Sequence, residues 1–99
     1  MNNDILDETL NSDINKYIPN NIKFSIINII AYEDSKYYNI LNRKSYTERN
    51  VCDHIHEEKL FYKNIYNDLV IYYKPLLKKY PFLQHNYNNL EQFITLRIN

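Results

Sequence analysis

Apolar residues return every third or fourth position along almost the whole chain, and that spacing predicts helices. In "DILDETLNSDINKYI" the residues Leu6, Leu10, Ile14 and Tyr17 share one face, with Asn3 or Asp4 available as a cap and Asp7 and Glu8 in the first turn, where the helix dipole favours acids. A first helix is expected within residues 1–17. Pro19 ends it and opens a second, because a proline in the first turn lacks only an N–H that would have had no partner there. The second helix is expected from about Pro19 to Tyr32. Its stripe of Ile22, Ile26, Ile29 and Ile30 is joined by Phe24 and Ile27 on neighbouring faces, so its apolar sector is wider than one packing partner requires. Two sides of this helix want covering.

"EDSK" then offers a turn with a cap at Asp34 or Ser35, and Tyr37, Tyr38, Leu41 and Tyr46 mark a shorter third helix. In "TERNVCDHIHEEKLFYKNIYNDLVIYYK", Val51 and Ile55 lie on one face and Phe61, Ile65, Leu69 and Tyr72 on another, which predicts one or two helices with a break or bend near Glu57 and Glu58. Pro75 opens a short helix through "PLLKKY", Pro81 closes it, and Leu90, Phe93, Ile94 and Ile98 follow a cap at Asn88 or Asn89. "LVIYY" and "FITLRI" are rich in strand formers. The chain has no glycine, however, so tight hairpins lack their turn chemistry. The expected fold is all-α, a small orthogonal bundle of about five to six helices in a single domain over 1–99: an N-terminal helix (1–17), a middle segment (18–46) and a C-terminal helical region (47–99).

Ninety-nine residues suffice for one core, burying roughly 60 to 65% of the surface an unfolded chain would expose. Twelve basic and twelve acidic residues cancel, so no long-range field steers the chain to phosphate, and nucleic acid is not an indicated partner. A single cysteine allows no internal disulfide, which fits a reducing compartment. The opening "MNNDILDETLNSD" carries acids where a targeting peptide needs bases, and no apolar run approaches the roughly 18 residues of a membrane span. A cytoplasmic or nuclear protein without a membrane partner is expected. The bias to Asn, Ile, Lys and Tyr is what an A+T-rich genome imposes, so the eleven tyrosines are read as amphipathic core filler and not as a base-stacking platform.

Few residues carry chemistry. "CDHIH" sets Cys52 and His56 four apart on one helical face, as zinc would need, but His54 points elsewhere and His85 is distant. The expected reading is a small buried cysteine beside surface histidines, with no metal. A cysteine nucleophile there would lack an identifiable oxyanion donor. Without glycine, neither a P-loop nor a dinucleotide loop can approach phosphate closely. Glu57 and Glu58 are adjacent and do not face each other on a helix. Lys74, Lys78 and Lys79 lie next to tyrosines, which could suggest RNA or a membrane, yet acids elsewhere balance them and a solvated face is expected. No enzyme activity, cofactor or small-molecule substrate is therefore expected.

With catalysis set aside, the apolar stripe becomes the functional lead. From Ile18 to about Tyr46 the chain resembles an F-box. Ile18-Pro19 matches the aliphatic-proline pair, and Ile22, Ile26 and Ile30 fill the next three apolar positions. Asp34 falls at the acidic turn, Tyr38 and Leu41 at later apolar positions, and "NRKSY" is similar to the basic-aromatic ending. "EEKLFYKNIYNDL" resembles the segment that often trails the motif. Ser35, Asn42 and Ser45 depart from the usual leucine, cysteine and tryptophan. The resemblance implies a Skp1-binding adaptor of a cullin-RING ubiquitin ligase, with Ile18, Pro19, Ile22, Ile26, Ile30, Tyr38 and Leu41 facing the partner. The alternative is a small non-catalytic structural subunit of a larger protein or ribonucleoprotein assembly, docked through the Tyr-rich face of "LFYKNIYNDLVIYYKPLL". Loss of Skp1 binding with helicity retained on replacing Ile22 and Ile26 would support the first reading; collapse of helicity would make those residues core.

Overall fold

A computed structural model describes the backbone of residues 4–42 and 48–99 and the side chains of 5–36 and 56–99. Helix α1 (Asp4–Asn11) runs into a 3-10 turn (Asp13–Tyr17), followed by α2 (Asn20–Asn42) and α3 (Glu48–Asp68). A π-helical turn (Leu69–Tyr73) extends α3, and after it come the short α4 (Leu76–Lys79), a 3-10 turn (Pro81–Leu83) and α5 (Gln84–Ile98). Among the described residues the fold is all-α, with five α-helices and no strand.

Local chemistry explains the joints. The predicted first helix breaks at Ser12, where the Asn15 side-chain amide donates to the Leu10 carbonyl and so caps an end that would otherwise lack a partner. Pro19 opens α2, its carbonyl accepting from the N–H groups of both Ile22 and Lys23 at 3.1 Å. The turn expected at Asp34-Ser35 is absent, and α2 continues to Asn42. Helical Asp and Ser lose only about 0.5 kcal/mol each against better formers. The flanking Glu33 and Lys36 recover that through contacts with α3 and α5. No break occurs at Glu57 and Glu58, where α3 is continuous and Glu58 meets Lys36 at 2.7 Å. "LVIYY" and "FITLRI", the strand-rich pieces, are both helical. At the first of them the Lys74 N–H reaches back five residues to the Leu69 carbonyl, 2.8 Å away, just before Pro75. Pro75 opens α4 as expected, and Pro81 leads the next 3-10 turn. α5 starts at Gln84, earlier than the expected asparagine caps; Asn88 and Asn89 are instead held inside it by i,i+4 bonds with Gln84 (2.8 Å) and His85 (3.1 Å).

One core runs through all five regions of packing. Leu6 of α1, Ile22, Ile26 and Ile29 of α2, Tyr62, Ile65 and Leu69 along α3 and its π turn, and Leu90, Phe93 and Ile94 of α5 form a single buried cluster. Both ends of the chain therefore contribute to one core, with α1 packed on α2 and α5, and α3 packed on α5. The molecule measures 49 × 22 × 19 Å. At 1.5 Å per residue α2 spans about 34 Å, so it lies along the long axis.

Candidate functional site

The face expected to meet a partner is divided by the fold. Ile18, Ile22 and Ile26 are buried in the core cluster, Pro19 and Ile30 are half-buried, and the side chains of Tyr38 and Leu41 lie outside the described residues. Ile18, Ile22 and Ile26 are thus core positions here, and a partner could reach them only after the chain's own helices part. On the opposite side of α2, residues 20, 24, 27 and 31 cluster within about 60° of one another at 100° per residue. There Phe24 is 65% exposed and Ile27 49%, with Asn20, Asn28 and Ala31 beside them. The charged side chains nearest that face are Lys23, which is turned onto the Asn15 side-chain oxygen 3.0 Å away, and Asp34, which is exposed one turn beyond Ala31 and continues the same row. The signal was legible in the sequence: α2 is apolar on two sides, and the chain covers one of them.

Behind the buried side of α2 stands a charged network. Glu33, 4% exposed, accepts from the Tyr62 hydroxyl and from Arg97 Nε, while Lys36 Nζ lies 3.9 Å from its other oxygen. Arg97 also donates to the Phe93 carbonyl at 2.9 Å and stacks over the Phe93 ring at 3.5 Å. Burial by itself would raise the Glu33 carboxyl. The hydrogen bonds from Tyr62 and Arg97 and the charges of Arg97 and Lys36 outweigh it and hold the carboxyl below its usual value of 4.5. A general base works best with a pKa near the operating pH, and this shift runs the other way. Burial and the Glu33 carboxylate together push the Tyr62 phenol well above the usual tyrosine range. The network is a clamp joining α2, α3 and α5, reinforced by the stacking of Tyr32 on Phe61 at 4.8 Å.

A second buried network closes the other end. Tyr73 donates to the Asn86 side-chain oxygen, Asn86 donates to Thr9, and Thr9 donates to the Ile5 carbonyl, each at 2.8 Å. Thr9 and Asn86 are both buried; Asn86 shares the face of Leu90 and Phe93 at helical spacing, but its polarity hides it from a hydrophobic pattern, and Thr9 is hidden in the same way. Nearby, Tyr17, Tyr80 and Phe82 meet in a three-ring cluster with centroids 4.8 to 5.8 Å apart. Sequence reasoning missed that cluster because its rings come from distant segments.

Of the residues weighed and set aside as zinc ligands, Cys52 and His54 lie outside the described side chains, and His56 is exposed. Among the described residues no three of His, Cys, Asp and Glu gather as metal ligands would, and no helix is long and apolar enough to cross a membrane. Comparison with known proteins finds no matching family model, curated protein or solved structure.

Proposed function

We propose that this chain is a non-catalytic protein-interaction subunit that docks through the outward face of α2. The carrying observation is the exposure of Phe24 and Ile27, next to Ala31, on the outward face of α2, with Asp34 as the one acid at its edge among the described residues. Such a face suits another protein chain whose own contact is mainly apolar, in the manner of a helix laid into a groove. Both described polar networks favour the same reading, since their groups are spent on joining the chain's own helices.

Replacing Phe24 and Ile27 together by serine tests it. The double variant should keep its melting temperature to within a few degrees, since exposed substitutions usually change stability by about 0.5 kcal/mol or less. It should lose the stoichiometric partner that accompanies the wild-type chain from its native cell. Retention of that partner by the variant, or purification of the wild type as a lone monomer, would overturn the reading. The narrower adaptor version, docking on Skp1 through Ile18, Pro19, Ile22, Ile26 and Ile30, requires the core side of α2 to open. Direct binding of purified Skp1 to the intact chain measures it, and a flat titration removes it while leaving the outward face untouched.

A further inference from the structure

We propose that the corner between α3 and α5 is a peripheral docking surface for an anionic lipid bilayer. It is independent of the α2 face. From Leu69 to Leu90 the chain carries Lys74, Lys78 and Lys79 and no Asp or Glu. These three lysines are exposed, and none has a carboxylate within ion-pair distance among the described residues; the same holds for Lys16 in the 3-10 turn. Asp13 is the acid nearest in sequence to Lys16, and the two are not paired.

Apolar exposure is concentrated in the same stretch. Of the eight large apolar side chains exposed among the described residues, Val70, Ile71, Tyr72 and Phe82 fall between positions 70 and 82. Exposed apolar side chains scattered singly are ordinary, whereas such a concentration beside unpaired cations marks an interaction site. Phe82 is 54% exposed and has no polar handle. It stands directly after exposed Pro81, edge-on to Tyr17 at 4.9 Å, and the Tyr17 and Tyr80 rings meet at 4.8 Å.

The geometry favours lipid over single-stranded nucleic acid. Base stacking needs a free ring face. Here the Tyr17 and Tyr80 rings lie against each other, and Lys16 and Lys79 cover them at 5.4 and 5.3 Å from their centroids. Ammonium groups seated over aromatic rings keep cations and rings on one surface, which a membrane interface favours: rings at headgroup depth, charges near the phosphates. The corner is also held in shape. Tyr73 ties it to Asn86 and to the Leu83 carbonyl, Leu83 is buried, and Leu76 and Leu77 are half-buried against the core. Only its outer side is available. Phe82 would enter the interface, flanked by Lys16 and Lys79 over the two rings it meets, with exposed Lys78 next to Lys79 in α4.

The chain has no tryptophan, so Phe82→Trp provides a single reporter at the insertion point. Its emission should shift to the blue on adding phosphatidylcholine vesicles containing phosphatidylserine, should stay unchanged with phosphatidylcholine alone, and should weaken as salt is raised. Flotation of the wild type should agree. Lys78→Glu with Lys79→Glu should lower vesicle affinity roughly tenfold or more while leaving the helical circular dichroism intact, since both side chains are exposed. No shift with the anionic vesicles overturns the proposal. So does equal binding of the charge-reversed variant, or tight binding of a single-stranded oligonucleotide by a protein that ignores the vesicles.

Discussion

Three buried tyrosines differ only in what their hydroxyls touch, and that difference sets their energetic roles. Tyr62 donates to Glu33 and Tyr73 to Asn86, whereas the Tyr87 hydroxyl is buried without a hydrogen-bond partner. Burial first, then the nearby Glu91 carboxylate, push the Tyr87 phenol up to about 12, although Glu91 does not satisfy hydrogen-bond geometry with it. Tyr73→Phe should therefore cost about 1 to 2 kcal/mol, because it strands the Asn86 oxygen. Tyr87→Phe should be neutral or stabilising by up to about 1 kcal/mol. Urea unfolding of the two variants checks the pair, and the opposite order would mean that water satisfies Tyr87. Glu33 makes a pH prediction. Its carboxyl is held below the usual value in the fold, so it releases its proton more readily there than in the unfolded chain. Its stabilising contribution is complete above that usual value and disappears as pH falls through the lower folded one. Thermal melts from pH 6 down to pH 2 should show a loss that Glu33→Gln lacks, the variant being less stable by about 2 to 3 kcal/mol at neutral pH. Helical spacing puts Glu33 in the same row as Ile22, Ile26 and Ile29, so its inward position was legible; what periodicity could not supply was its partner, since Arg97 arrives from 64 residues further along the chain.

At the scale of the element, α2 is the instructive case. Its turn-prone Asp34-Ser35 pair is overridden by tertiary contacts on either side, and its apolar residues divide between two faces with different fates. Ile26→Ala should destabilise by about 2 to 5 kcal/mol through the cavity it leaves. Phe24→Ala, two residues away, should change stability by about 0.5 kcal/mol or less. Denaturant midpoints decide between them, and similar costs at both positions would mean that the outward face is packed. Helical spacing reveals that α2 has apolar residues on two sides. It does not say which side the rest of the chain will claim, because that depends on where α1, α3 and α5 arrive.

For the whole molecule, the termini are coupled through one buried amide. Asn86 joins α1 to α5 and, through Tyr73, to the π turn. Asn86→Ala should leave the Thr9 hydroxyl and the Tyr73 phenol short of a partner, costing roughly 2 to 3 kcal/mol. The loss should be local: amide exchange should accelerate in residues 5–17 and much less in the middle of α3. Uniform acceleration would show instead that α1 opens only with global unfolding.

The order of residues alone determined that this chain is helical, where Pro19, Pro75 and Pro81 punctuate it, and that it carries neither a P-loop nor a dinucleotide loop. Each follows from local chemistry: apolar spacing at the helical period, a missing N–H, the absence of glycine. The tertiary structure alone decided that Ser12 is a break and Asp34 is not, and that Ile22 and Ile26 face inward while Phe24 and Ile27 face water. It also decided that Glu33 is a clamp, and that three rings from opposite ends of the sequence meet among lysines. Those outcomes depend on which distant side chain comes within reach, and the free energy of a contact between remote segments is not contained in the spacing of either one.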